Sequence, residues 1–125
     1  MIRGVHHIAL KCTSSEQYRK AKDFYTGILG LSVKREWNGG IMIDTGAGLM
    51  EIFETGGDER GQGVIRHFAL TTDNVDEMVE KVTAAGYTVF TGPSDIVIQS
   101  DPPFPARMAF CWGPLGEEIE FFQEK

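Results

Sequence analysis

The sequence predicts an α+β fold made of two βαβββ modules, and three observations carry that prediction. A strand-like segment near the start recurs sixty residues later: "VHHIALKC" at 5–12 and "IRHFALTT" at 65–72. Each copy runs into an amphipathic helical stripe that ends at a glycine. Both halves then close on a hydrophobic strand that carries a glutamate, "GAGLMEIFE" at 46–54 and "GPLGEEIEFFQ" at 113–123.

Under the shift of 60, Val5 meets Ile65, His7 meets His67, Ala9 meets Ala69 and Leu10 meets Leu70. In the first helix, Tyr18, Ala21, Tyr25, Ile28 and Leu29 fall at spacings of three and four. Ser14 with Gln17 offers a capping box, and Gly30 stands where a C-terminal cap belongs. "LSV" at 31–33 opens the next strand, and Asn38-Gly39 inside "KREWNGGIMIDTG" reads as a hairpin. In the second half, Val75, Met78, Val79, Val82 and Ala85 form the stripe, with Asp73 as N-cap and Gly86 as terminator. "YTV" at 87–89 then opens a strand, and further strand candidates lie at 96–99 and 106–112, around a proline-rich connection, "QSDPPFPA". The expected division is a first module over 1–54, a polar, glycine-rich linker over 55–63 and a second module over 64–125. One open module exposes a sheet face, so each is expected to pair with a sister in the same chain or in another copy.

The totals narrow the function classes. A chain of 125 residues supports one ordinary domain. A formal charge of −6, with no basic stripe, argues against a nucleic-acid partner. No apolar run reaches membrane-spanning length, and "MIRGVHHIAL" has no signal-like core, so no membrane partner and a cytoplasmic location are expected. Cys12 and Cys111 lack CxxC spacing and read as reduced thiols.

The repeat also sorts the polar residues. His7 has a counterpart in His67, whereas His6 faces Arg66 in the other copy. Strand alternation puts Val5, His7, Ala9 and Lys11 on one face and His6, Ile8, Leu10 and Cys12 on the other, which is expected to lie beneath the helices. His6 is then expected to pack or hydrogen-bond behind the site. Under a shift of 69, Glu51 meets Glu120, Ile52 meets Phe121 and Phe53 meets Phe122. A carboxylate inside an apolar strand needs a reason to be there. Taken singly, such a His is more often a hydrogen-bonded core residue and such a Glu a solvated one. The duplication separates them: His7, Glu51, His67 and Glu120 form a set of two imidazoles and two carboxylates. That set suits a divalent metal such as Zn, Ni, Co, Mn or Fe with positions left open for substrate. Phe53 and Phe122 share strand faces with the glutamates and either wall a pocket or fill a core. Arg107, beside "SDPPFP", is either an anion anchor for substrate or a surface strand arginine.

"VHHIALKC", "AKDFYTGILGLSV", "LMEIF", "IRHFALTTDNVDE" and "GPLGEEIEFF" together resemble the vicinal oxygen chelate superfamily, and the four-residue set most resembles glyoxalase I. The resemblance implies paired βαβββ modules forming a curved mixed sheet around a metal site, with His7, Glu51, His67 and Glu120 as ligands. It implies a lyase or isomerase acting on a small α-oxo or 2-hydroxycarbonyl (hemithioacetal) substrate through a metal-stabilised enediolate. Glu51 or Glu120 would be the catalytic base. Lys11 stands where that family often has an arginine for substrate binding. A homodimer is the expected assembly. An epimerase, a dioxygenase or a non-catalytic binding or resistance protein are the alternatives within the same superfamily.

Overall fold

A computed structural model describes residues 1, 3–58, 63 and 65–125. The chain divides into two compact units, Met1–Gly61 and Gln62–Lys125. The first contains β1 (His7–Lys11), α1 (Ser15–Lys22), β2 (Ser32–Trp37), β3 (Gly40–Asp44) and β4 (Leu49–Phe53). The second contains β5 (Phe68–Thr71), α2 (Val75–Ala84), β6 (Val89–Ile98), β7 (Phe104–Trp112) and β8 (Glu118–Glu124). Each unit is one mixed four-stranded sheet, ordered β1-β4-β3-β2 and β5-β8-β7-β6, with its helix on one face. First and last strands run parallel at one edge, and the remaining pairs are antiparallel.

In the first unit, the alternation of β3 and β4 buries one face. Ile41, Ile43, Met50 and Ile52 are closed to solvent on the helix side. Tyr18, Ala21, Phe24 and Tyr25 meet them from the helix. The Ser14 side chain accepts from the Gln17 N–H at 3.1 Å, while Gln17 Oε1 accepts from the N–H of Thr13, one residue further back than a capping box requires. The stripe over 18–29 is not one α-helix. It passes into a π-helical stretch over Asp23–Ile28, where the Leu29 N–H reaches Phe24 O, five residues back. The wider turn sets Phe24 and Tyr25 side by side, both fully buried, their rings edge to face at 5.0 Å. Gly30 then ends the helix at φ +73°. Asn38-Gly39 makes the hairpin, with positive φ at Gly39 alone. β1, as the edge strand, is less covered than its alternation suggests, with Ile8 36% exposed, whereas Cys12 just beyond it is wholly buried.

In the second unit, Ala109, Cys111, Ile119 and Phe121 form the helix-side face with Val75 and Val82 of α2. Asn74, not Asp73, is the N-cap: its Oδ1 accepts from the Glu77 N–H at 3.1 Å. Val89 of the segment expected at 87–89 and residues 96–98 of that expected at 96–99 belong to one long strand, β6, interrupted by irregularities between Val89 and Ser94. Within the expected linker, residues 59–62 lie outside the described residues. Its first part is tied down: the Gly57 N–H donates to Cys12 O at 2.9 Å. A Cβ at Gly57 would sit 2.3 Å from Lys11 O, so only glycine allows that approach.

Candidate functional site

The parallel edge of each sheet positions one histidine and one glutamate. In the first unit Ala9 lies opposite Glu51, and in the second Ala69 lies opposite Glu120. Two unrelated sequence shifts, 60 for the first strands and 69 for the last, thus resolve into one hydrogen-bonding register. Each histidine stands two residues before the alanine, on the same face as the glutamate. His7 Nε2 comes 3.5 Å from Glu51 Oε1, and His67 Nε2 comes 3.3 Å from Glu120 Oε2. Exposure repeats as well: the side chains are 40% and 13% exposed in the first pair, 40% and 12% in the second. Flanking residues Met50 and Ile52, or Ile119 and Phe121, point into the core on the opposite face. Burial pushes the Glu120 carboxyl up from its ordinary value, and the neighbouring His67 draws it partly back.

Donor chemistry and spacing fit a divalent ion. Two ligands about 2.1 Å from one tetrahedral ion lie about 3.4 Å apart, close to both observed separations. A single pair supplies two donors, and among the described residues no group of three or more His, Cys, Asp or Glu side chains gathers. Neither unit alone therefore completes a four-donor set.

The pairs differ in their surroundings. In the first unit, Lys11 Nζ lies 5.9 Å from the centre of the Phe53 ring, and Trp37 meets Phe53 edge to face at 6.3 Å. His6 is not behind the site: its Nδ1 lies 2.9 Å from His7 Nδ1, the rings nearly perpendicular. The residue precedes β1, so strict strand alternation does not govern it. In the second unit, His67 packs edge to face on Phe110 at 5.0 Å, and Phe110 lies opposite Glu120 in the β7–β8 register. Phe90 stacks on Trp112 at 4.3 Å and contacts Phe110 at 5.7 Å. Phe122 stacks with Phe104 at 6.3 Å. Phe90, Phe110 and Trp112 escape sequence reasoning because the hairpin length hides the register that brings them to Glu120.

Arg107, the candidate anion anchor, does not share the face of Glu120. It lies opposite Gln123 in the β7–β8 register, three residues from Phe110, and therefore on the other face. There its Nε and Nη2 donate to the two oxygens of Asp76 on α2, each at 2.8 Å, and its Nη1 donates to Asp95 at 3.1 Å. It clamps the helix to the sheet through three of its N–H donors.

A mixed-sheet α+β unit, present twice with a His–Glu pair at the same register, defines the class of protein. The chain belongs to the Glyoxalase/Bleomycin resistance protein/Dioxygenase superfamily, whose family model matches residues 4–101. No curated protein matches the chain. Among solved structures, the glyoxalase/bleomycin resistance protein/dioxygenase from Alicyclobacillus acidocaldarius is 19% identical, with a TM-score of 0.70 over 97% of this chain and 91% of that one. The lactoylglutathione lyase from Agrobacterium tumefaciens is 17% identical, with a TM-score of 0.67 over 98% and 95%. The protein SMU.1112c is 25% identical, with a TM-score of 0.72 over 98% and 99%. The first two likenesses speak for the fold alone. Among the described residues, no helix is long and apolar enough to cross a membrane.

Proposed function

We propose that this protein is a glyoxalase I-like lyase or isomerase dependent on a divalent metal, acting on a small α-oxo or 2-hydroxycarbonyl thiol adduct. The observation that carries the reading is the His–Glu pair built twice at one register, 3.5 and 3.3 Å across. His7, Glu51, His67 and Glu120 would hold the metal, which supplies Lewis acidity toward adjacent substrate oxygens when bound. The reaction also needs a carboxylate that takes a proton from one substrate carbon and returns it to the next. Glu51 and Glu120 are the two candidates; at Glu120 burial raises the proton affinity of the carboxylate, which strengthens it as a base. Phe110 lies opposite Glu120, and Phe122 follows two residues along the same face of β8, so both flank that carboxylate. The lactoylglutathione lyase named above shares the fold. We read the working form as a cytoplasmic homodimer.

Metal analysis and an activity assay test this together. Purified protein should carry a divalent metal or gain thermal stability on adding Ni or Zn. Methylglyoxal mixed with glutathione or another thiol should then give product absorbing at 240 nm. Glu51→Gln and Glu120→Gln should each lower the rate about 100-fold or more. No bound metal and no stabilisation would refute the metal site. Full metal loading with a silent assay would refute the lyase reaction.

A further inference from the structure

A cavity of about 600 Å³ opens in the first unit where the chain entering β1, the turn before β4 and the middle of β2 meet. Its lining includes Arg3, His6, Lys34, Arg35, Asp44 and Leu49. The charge there runs against that of the molecule, which is −6 overall. Elsewhere several cations are matched, Lys20 with Glu16, Lys22 with Glu36, Lys81 with Glu77, and Arg107 and Lys125 with Asp95, while Lys11 lies over the Phe53 ring and, among the described residues, the exposed Arg19 stands alone on α1. Among the described residues, no carboxylate comes within ion-pair distance of Arg3, Lys34 or Arg35. Arg35 Nη1 finds only the weak acceptor Met42 Sδ at 3.4 Å. Asp44, the carboxylate in the lining, has Oδ1 engaged by the Gly46 N–H at 2.7 Å. Basic groups gathered around one open volume repel one another until an anion arrives, and a concave wall focuses their field.

We propose that this cavity binds the anionic end of a small ligand, a carboxylate or a phosphate group. Register gives the cavity a relation to the His7–Glu51 pair. Ala9, Glu51, Met42 and Arg35 form one cross-strand row, and His7, Leu49 and Asp44 form the next, all on one face. His6 belongs to the lining and touches His7. An anion held there places the next few atoms of its own molecule at His7 and Glu51. The substrate class narrows to 2-oxo or 2-hydroxycarbonyl compounds bearing an anionic group a few bonds away. That narrowing rests on the proposed function; the anion site itself does not.

The test uses the full metal-free chain and titrates inorganic phosphate, then acetate, while amide resonances are followed by NMR. Saturable shifts are expected at Gly4, His6, Arg35, Gly48 and Leu49. Affinity should drop about 10-fold in Lys34→Gln/Arg35→Gln and fall with added salt, while Arg19→Gln, outside the cavity, changes nothing. The stronger of the two anions identifies the group. Shifts spread evenly over the surface, or unchanged affinity in the double variant, would overturn the site. In a second arm, the double variant should raise KM several-fold for a carboxylate-bearing thiol adduct and leave KM for the neutral 2-mercaptoethanol adduct unaltered. Equal KM changes for both, with the phosphate shifts intact, would overturn the link to substrate and leave a site for free anions. Absence of turnover with every adduct would count against the proposed function and leave the titration to decide the site.

Discussion

Ile52→Ala tests the facing of the strand that carries Glu51. Ile52 is 0% exposed and packs on the helix side, while its neighbour Glu51 faces away. Truncation to alanine removes three carbon groups, worth about 2.4 kcal/mol at about 0.8 kcal/mol each. An unfilled cavity adds to this, so a loss of about 2–5 kcal/mol is expected. For a chain of this length that lowers Tm by about 8–20 °C, at about 4 °C per kcal/mol. Ile52→Val should cost only about 0.5–1.5 kcal/mol. Leu49→Ala, on the half-covered face, should cost less than half as much as Ile52→Ala. Urea titration followed by far-ultraviolet circular dichroism measures all three. A loss below about 1 kcal/mol for Ile52→Ala would mean that the buried face was misassigned. Glu51 would then point beneath the helix, away from any substrate, and the reading of the His7–Glu51 pair would fail.

Burial pushes the Cys111 thiol up to about 12 from an ordinary 9.0, so at pH 8 the native protein should react with iodoacetamide about 1000-fold more slowly than unfolded chain; comparable rates would refute it. The hydrogen bond from Arg107 holds Asp76 below the usual carboxylate range, and those from Lys125 and Arg107 do the same for Asp95. Carboxyls depressed in the folded state stabilise it above their unfolded pKa, and this is lost as pH falls through the folded value. Stability of the second unit should thus fall below about pH 4, and less steeply in Arg107→Gln; matching acid profiles would argue against the clamp. Asn74→Ala and Ser14→Ala should each lose about 1 kcal/mol of stability while Asp73→Ala loses less, as read from urea midpoints. His6→Ala removes the partner of His7 Nδ1 and should weaken zinc affinity about 10-fold, a change that calorimetry detects.

The topology was legible because each half states it independently. One strand motif and one glutamate strand, each repeated, locate both parallel edges without any knowledge of what lies between. The same logic picks His7, Glu51, His67 and Glu120 from the three histidines and many carboxylates of the chain. What stayed hidden depends on counting through irregular backbone. Arg107 follows a connection of uncertain length, so its face cannot be read without the register to β8. The π-helical stretch stays hidden because Tyr25, Ile28 and Leu29 keep sequence spacings of three and four, and only the bond from the Leu29 N–H to Phe24 O reveals the wider turn. Asp73 and Asn74 are both good caps, and only the hydrogen bond to Glu77 separates them. His6 sits just outside β1, where the two-residue period no longer applies.

The unequal hairpins have a practical meaning. β6 and β7 contain ten and nine residues against six and five in β2 and β3, so the second ribbon outreaches the first by about 13 Å. Its tip, 99–103, lies six residues of strand beyond the level of Glu120, about 20 Å away. Length has been added to one repeat without disturbing the register at the other end. The tip is therefore a natural port: a dye, an affinity tag or a tether inserted at Ser100 would travel with the second unit and report on it from outside the chemistry.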